Sequence, residues 1–430
     1  MKQIWLISLC FLHVFMSCVS DDSKLSVHAL RRAKMKLALV TIGDDHEAQE
    51  SAKTIFNDFS FSGQFDVTLY NFKQQPSKKH FKDWYKQGCL VSVFLTAYAD
   101  QQALDWRIYD TRTVSMLKGR RYRKRGDHVR GWGHNIADMI WPELMGHESS
   151  FSSKIAFCKD VVKDKKRYKH IYIADYDGSN AQPLVTTPTV NVAPRWNRDL
   201  YNPLLFYSES AQSNISMRIA AMDGTRRTAS NFDGLNMLPT FSKDGKKIVY
   251  CISKGDGHCD LYLYEDCTIK RLTHNGGNNI SPNFSDDGSL LYFCSDYKSR
   301  MPLIYCYNLS THKCELITPT GPCLSPSLSE KRQKLVYSKR VDGIMQLFFY
   351  DLKTKKHTQF TTDTRYHKED CSWSPCGNYL LFSVTAGNRS CVATEHIVTH
   401  ERQFLTASTG YCSYPTWSPI YYMYPSLDQG

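Results

Sequence analysis

Residues able to do chemistry are plentiful in this 430-residue chain, yet their spacing assembles few reaction centres. Gly-x-Ser-x-Gly, the sharp turn that exposes an activated serine hydroxyl, does not occur. Ser242-Lys243-Asp244-Gly245 approaches a sialidase Asp box, but that turn needs its glycine one residue later and a tryptophan after it. Of fifteen histidines, His357, His367, His396 and His400 form one loose group, and no two of them recur at a fixed interval. Cys-x-x-Cys is absent and no His–Cys spacing suits tetrahedral zinc. No catalytic residue, metal or cofactor is therefore expected. The question of function moves from a reaction centre to a surface.

The elements that would position such a surface repeat. Ala193-Pro194-Arg195-Trp196-Asn197, Leu238-Pro239-Thr240-Phe241-Ser242 and Ser281-Pro282-Asn283-Phe284-Ser285 share one phrase. Ser325-Pro326-Ser327-Leu328-Ser329, Cys371-Ser372-Trp373-Ser374 and Tyr414-Pro415-Thr416-Trp417-Ser418 continue it. Measured at the proline position (Cys371 in the fifth), the steps are 45, 43, 44, 45 and 44 residues. A period near 44 with short strands and turns is the signature of a β-propeller, one blade per repeat. Asp244-Gly245 and Asp287-Gly288 supply turns in the second and third units, while Glu330-Lys331-Arg332-Gln333 and Pro375-Cys376-Gly377 replace them later. Only 13 residues follow Trp417, too few for a blade. The apolar runs Ile155–Cys158 and Ile171–Ala174 supply strands before the first phrase, so the last strand should join them and close a ring of six blades without exposed edges.

Residues 1–20 read as a secretory leader: Lys2, a short apolar run from Ile4 to Phe15, then small residues, with cleavage expected after Ser20. That run is too short to span a membrane and nothing later approaches it, so the protein is expected to be exported and not membrane-spanning. The leader carries Cys10 and Cys18, leaving thirteen cysteines in the remaining chain. Cys158, Cys251 and Cys294 hold one equivalent position in three units, where cysteine acts as a small buried apolar residue. Disulfides Cys251–Cys259 and Cys294–Cys306 are the alternative the spacing allows. The net charge is +12, concentrated in Lys118–Arg125 and Lys163–Lys169. An exported protein rarely meets nucleic acid, so these runs are read as solvated edges that discourage strand pairing, or as attraction to an acidic partner or surface.

Residues 21–150 form a small N-terminal α/β domain in this reading, its leading segment 21–34 too poor in apolar surface to hold a fixed structure. Strands are expected at 36–42, 65–70, 90–96, 104–109 and 114–117. Glu47–Phe59 sets Ala48, Ala52, Ile55, Phe56 and Phe59 on one helical face, Lys79–Lys86 is a short helix, and a last helix carries Trp132, Ile136, Met139, Ile140 and Leu144 inward. No Gly-rich phosphate loop accompanies them. The fold class is thus two-domain, a small α/β domain followed by a six-bladed all-β propeller over residues 151–430.

The leader, the α/β domain, Asp175-Tyr176-Asp177-Gly178-Ser179-Asn180 running into the repeats, and the Tyr414–Pro419 ending together resemble the TolB family, periplasmic propeller proteins of the Tol–Pal system. The resemblance spans essentially the whole chain after the leader. It implies a non-enzymatic, monomeric periplasmic adaptor that supports outer-membrane integrity and invagination during cell division. It implies a Pal-like peptidoglycan-associated lipoprotein at the propeller mouth and a TolA-like inner-membrane partner at Asp21, Asp22, Ser23, Lys24 and Leu25. Repeat logic sets the mouth at the residues preceding each phrase: Asn191, Asn236, Met237, Leu238, Asn278, Asn279, Ile280, Cys323, Leu324, Lys368, Glu369, Asp370 and Tyr411. The resemblance implies that Leu235 to Leu238 and Asn279–Ile280 fall in loops that contact the lipoprotein. A carbohydrate-active lyase or hydrolase of the envelope is the competing reading.

Overall fold

A computed structural model describes residues 34–98, 103–123, 128–211, 214–230, 236–253, 257–406 and 410–421. Asp21–Leu25 and Leu235 fall outside these residues. Among the described residues no helix is long and apolar enough to cross a membrane.

The first part runs β1 (Met35–Ile42), α1 (His46–Phe61), β2 (Phe65–Phe72), α2 (Lys78–Lys86), β3 (Val91–Tyr98), β4 (Ala103–Asp110), β5 (Ser115–Arg123) and α3 (Val129–Met145). The sheet order is β2-β1-β3-β4-β5, with β1 parallel to both neighbours and β4 and β5 antiparallel. Asp45 caps α1 by accepting the Ala48 N–H at 2.8 Å. The apolar stripe then buries Ala48, Ala52, Ile55 and Phe59 against Leu37, Leu39 and the α3 residues Trp132, Ile136 and Ile140. Expected to end at Leu117, β5 instead continues to Arg123. It is the outermost strand and its charges stay in water, so the basic run is compatible with extended backbone.

The second part is built of blades. Four of them each take four consecutive antiparallel strands. A further pair forms one eight-stranded sheet, joined by the single parallel bridge Lys169↔Val190. In chain order the strands of this pair are β6 (Lys154–Lys163), β7 (Lys166–Asp175), β8 (Gln182–Val185), β9 (Val190–Trp196), β10 (Leu204–Ala211), β11 (Asn214–Ala221) and β12 (Arg226–Ser230). The next blade holds β13 (Asn236–Phe241), β14 (Ile248–Ile252), β15 (Asp260–Glu265) and β16 (Thr268–Arg271). After it come β17 (Asn279–Phe284), β18 (Leu290–Ser295), β19 (Leu303–Asn308) and β20 (Cys314–Leu316). Then follow β21 (Cys323–Ser329), β22 (Lys334–Val341), β23 (Ile344–Asp351) and β24 (His357–Gln359). The last full blade is β25 (His367–Trp373), β26 (Tyr379–Ala386), β27 (Arg389–His396) and β28 (Arg402–Phe404). The closing strand β29 (Cys412–Trp417) pairs with β6, Cys412 facing Lys159 and Trp417 facing Ile155. The Lys154 N–H donates to Ser418 Oγ at 2.9 Å and Trp417 Nε1 to Ser153 Oγ at 2.7 Å, so the sixth blade is stitched from both ends of the propeller.

Each innermost strand carries the same irregularity. Ala193, Leu238, Ser281, Ser325, Asp370 and Tyr414 all have φ between 50° and 54°. In each blade three steps on the inner strand match two on its neighbour, the mark of a bulge. The residue that follows is proline in five blades, which has no N–H to lose at an unpaired position. Three residues beyond it, Asn197, Ser242, Ser285, Ser374 and Ser418 are buried and each accepts a backbone N–H from the start of the neighbouring strand at 2.9–3.0 Å.

Cys158, Cys251 and Cys294 are fully buried, as expected of a small apolar filler, and Ser208, Ser338 and Ser383 hold the same register in the other blades. Neither spacing-permitted disulfide is formed; all thirteen described cysteines are free. Cys294 faces Ile304 while Cys306 faces Tyr292, a diagonal pair too far apart to bridge without backbone movement. Cys259 meets the Cys251 thiol unbridged, offset by two residues from Leu261 across the ladder.

The left-handed position makes a direct forecast. Ala193→Val places a β-branched side chain at φ 52° and should destabilise by about 2 kcal/mol, whereas Ala193→Gly should be near neutral. Thermal unfolding followed by near-ultraviolet circular dichroism would check the order. Equal transitions for the two variants would mean that the bulge is not a constraint.

Candidate partner-binding surface

The propeller has two unlike faces. On one, the turns that follow the inner strands meet the α/β domain. The Cys376 N–H donates to Ser150 Oγ at 2.8 Å, Gln403 Nε2 donates to the Phe61 carbonyl at 3.1 Å, and the Phe61 ring lies edge-on to Tyr176. The hydrophobic core is continuous across this contact, running from Phe59 and Trp141 to Phe151, Tyr176, Leu381 and Trp417. On the opposite face, where the inner strands begin, no hydrogen bond or ion pair to the α/β domain is found among the described residues.

Where the two domains meet, His134, from α3, sits between two carboxylates. Its Nδ1 is 2.9 Å from Asp58 Oδ2 in α1, and its Nε2 is 3.6 Å from Asp175 Oδ2 at the end of β7. The Tyr176 hydroxyl donates to Asp58 at 3.0 Å. Arg130 Nε donates to Asp175 and its Nη2 to Asp177, both at 2.7 Å, and Lys154 also pairs with Asp175. Burial opposes charging His134, but the Asp175 and Asp58 carboxylates on its two sides outweigh it and raise its pKa to about 9. Gly178 closes the segment at φ 84°, where a Cβ would lie 2.9 Å from Leu405 Cβ. The Asp-Tyr-Asp-Gly run is therefore the joint between the domains.

The sequence-predicted mouth residues lie at the open face but divide into two sets. Asn191, Asn236, Asn279, Cys323 and Lys368 are fully buried at the first or second position of their strands. Asn191 Nδ2 donates to the Lys169 carbonyl at 2.9 Å, Asn236 Nδ2 to Ile215 at 2.9 Å, and Asn279 Nδ2 to Cys259 at 3.1 Å. Lys368 Nζ donates to Gln346 Oε1 at 3.2 Å and to the Asp363 carbonyl, and burial lowers its pKa to about 8. The three asparagines and Lys368 thus latch one blade to its predecessor through backbone carbonyls.

The second set is accessible. Met237, Leu238, Ile280 and Leu324 are half-buried around the channel, and Asn278 is exposed with Nδ2 3.1 Å from Asp296 Oδ2. Glu369 and Asp370 carry raised pKa values, from burial first; repulsion from Asp370 adds to the shift at Glu369, while Arg195 partly offsets the shift at Asp370. Tyr411 is 42% exposed. Sequence reasoning read Lys163–Lys169 as a solvated hairpin edge but did not set it beside the mouth. β6 and β7 extend past the start of β29, and Asp164 and Lys165 at their tip both have positive φ, a tight two-residue turn. That hairpin brings Val162, 66% exposed, and the exposed cations Lys163, Lys165, Lys166 and Arg167 to the rim, near Tyr411, whose carbonyl accepts the Asp160 N–H at 2.9 Å. Its unusual length was the available signal: both strands have ten residues. The four histidines of the last third do not converge. His357 meets the Tyr337 hydroxyl, His396 the Tyr379 ring, and His400 Glu395.

A family model for the TolB beta propeller domain matches residues 141–421. The chain belongs to the TolB propeller family. It is similar to the Tol-Pal system protein TolB of Ruthia magnifica subsp. Calyptogena magnifica, 24% identical over 388 residues that cover 88% of this chain and 89% of the relative. The Tol-Pal system protein TolB of Nitrosococcus oceani is 25% identical over 250 residues, 54% of this chain and 57% of its own. The crystal structure of TolB from Acinetobacter baumannii superposes with a TM-score of 0.77 at 23% identity, covering 90% of this chain and 97% of that one. The order of a small α/β unit and a propeller is thus that of TolB, and both curated relatives are named as Tol-Pal system proteins.

The joint carries a pH signature. Because the folded His134 pKa of about 9 exceeds its unfolded value of about 6.5, its contribution is complete below pH ~6.5 and lost as pH rises through ~9, on the order of 3 kcal/mol at most. Melting temperatures from pH 6 to 10 should fall more steeply for wild type than for His134→Gln. Parallel curves would contradict a charged His134.

Proposed function

We propose that this chain is a non-enzymatic periplasmic adaptor of the Tol–Pal system that captures a Pal-like peptidoglycan-associated lipoprotein at the open propeller mouth. The observation that carries the reading is the asymmetry of the two faces. One carries the α/β domain, and the other presents Met237, Leu238, Ile280 and Leu324 around the channel with Val162, Val190 and Tyr411 at its rim. Aliphatic side chains at a loop-lined mouth mark a protein contact, and an aromatic among them is a natural anchor. The secretory leader and the relatives' names support the envelope setting. In this reading Asp21–Leu25 is the handle for a TolA-like inner-membrane protein, and the assembly supports outer-membrane integrity and invagination at division.

Capture by a tethered Pal-like periplasmic domain tests the proposal. Leu238→Arg with Ile280→Arg, and separately Val162→Glu with Tyr411→Ala, should each weaken capture by roughly tenfold or more without shifting the melting transition of the second pair, whose side chains are largely exposed. Wild-type affinity in both double variants would remove the mouth as the binding site.

A further inference from the structure

The basic run Lys118–Arg125 takes no part in the mouth. Its described residues lie on β5, the outermost strand of the α/β sheet, whose outer edge pairs with no other strand among the described residues. The cations leave the strand toward both faces of the sheet. Lys118 Nζ is 3.4 Å from Glu143 Oε1 on the α3 side, whereas Arg121 Nε is 2.8 Å from Asp105 Oδ1 on the other. Arg120 and Arg123 are exposed and make no ion pair among the described residues. Met116 and Leu117 are 57% and 37% exposed on the same strand. A shallow cleft of about 430 Å³ opens beside Gly119, bordered by Asp105, Arg107, Met116, Arg120 and Arg121.

We propose that the β5 edge receives an acidic, extended peptide segment as a sixth strand. An open strand edge offers unpaired N–H and C=O groups that a second strand satisfies, so backbone hydrogen bonds supply affinity and alternate side chains supply selectivity. The sign of the charge chooses the occupant. Two copies of this edge would bring Arg120 and Arg123 against their like, which disfavours self-pairing. A strand with carboxylates at alternating positions meets cations on one face and apolar Met116 or Leu117 beside them. An anionic membrane fits less well. It presents charge in one plane, whereas these cations point to two faces of a sheet and the backbone edge would be left unmatched.

Anisotropy of a fluorescein-labelled peptide of alternating Glu and Val, titrated with the full chain at low salt, tests this. Binding should weaken roughly tenfold or more in Arg120→Glu/Arg123→Glu, because charge-assisted contacts are lost and replaced by repulsion. A peptide of the same sequence N-methylated throughout should bind the unaltered protein at least as poorly, which separates strand pairing from simple charge attraction and needs no protein variant. Four results would overturn the proposal: no binding of the unmodified peptide, equal binding of its methylated form, undiminished binding by the charge-reversed protein, or preferential capture by phosphatidylglycerol vesicles. A peptide-free protein that sediments as a dimer through this edge would overturn it as well, by assigning the edge to a second copy.

Discussion

Six inner strands must turn around one axis, and each does so with a single residue in the left-handed region just before the proline position. For residues other than glycine that conformation costs about 1–2 kcal/mol each. It persists because the surroundings over-determine it. Above the bulge a buried Asn or Lys, in four blades, binds the preceding blade. Below it a large apolar side chain packs between blades, and a Ser or Asn holds the following turn in five of them. The bulge also resets the alternation of the strand, which decides the side chains that ring the channel at the open face and those that enter the blade-to-blade core. Everything said of the mouth depends on that reset.

The second constraint is the joint on the opposite face. His134 sits between Asp58 and Asp175 in a site from which water is largely excluded, and the three groups belong to α1, α3 and β7. Removing any one would strand a buried charge, which is why such a cluster resists piecemeal change. It fixes the α/β domain over the turns of the propeller and leaves the other end of the channel available. In the proposed adaptor role, a disc with the α/β domain on one face leaves the other for a partner, and the cations on the β6–β7 hairpin and the β5 edge would favour an acidic one.

Much of this was legible in the chain. A period near 44 residues gave the blade count, the shortfall after Trp417 demanded a strand from the far end, and the recurrence of Cys158, Cys251 and Cys294 located a small buried position. The helical faces of the α/β domain followed from apolar spacing alone. Asn191, Asn236 and Asn279 were harder. A polar residue between a loop and a strand looks like a surface group, and only the register against the preceding blade reveals that it turns inward to a carbonyl. The reach of β5 into Lys118–Arg123 was hidden by charge, since strand patterns are read from apolar residues and an edge strand in water needs few. The joint was invisible for another reason: Asp58, His134 and Asp175 are far apart in sequence, and spacing carries no signal for contacts made only by the tertiary fold.

The central claim is that partners meet the face opposite the α/β domain. Amide hydrogen exchange of the full chain, with and without a Pal-like periplasmic domain, addresses it most directly, because exchange reports local opening and its suppression by contact. Slowed exchange is predicted in 163–168, 188–192, 236–238, 278–281 and 410–412, with the covered-face turns 243–246, 286–289 and 330–333 unchanged. Protection confined to those turns, or to the α/β domain, would contradict the account.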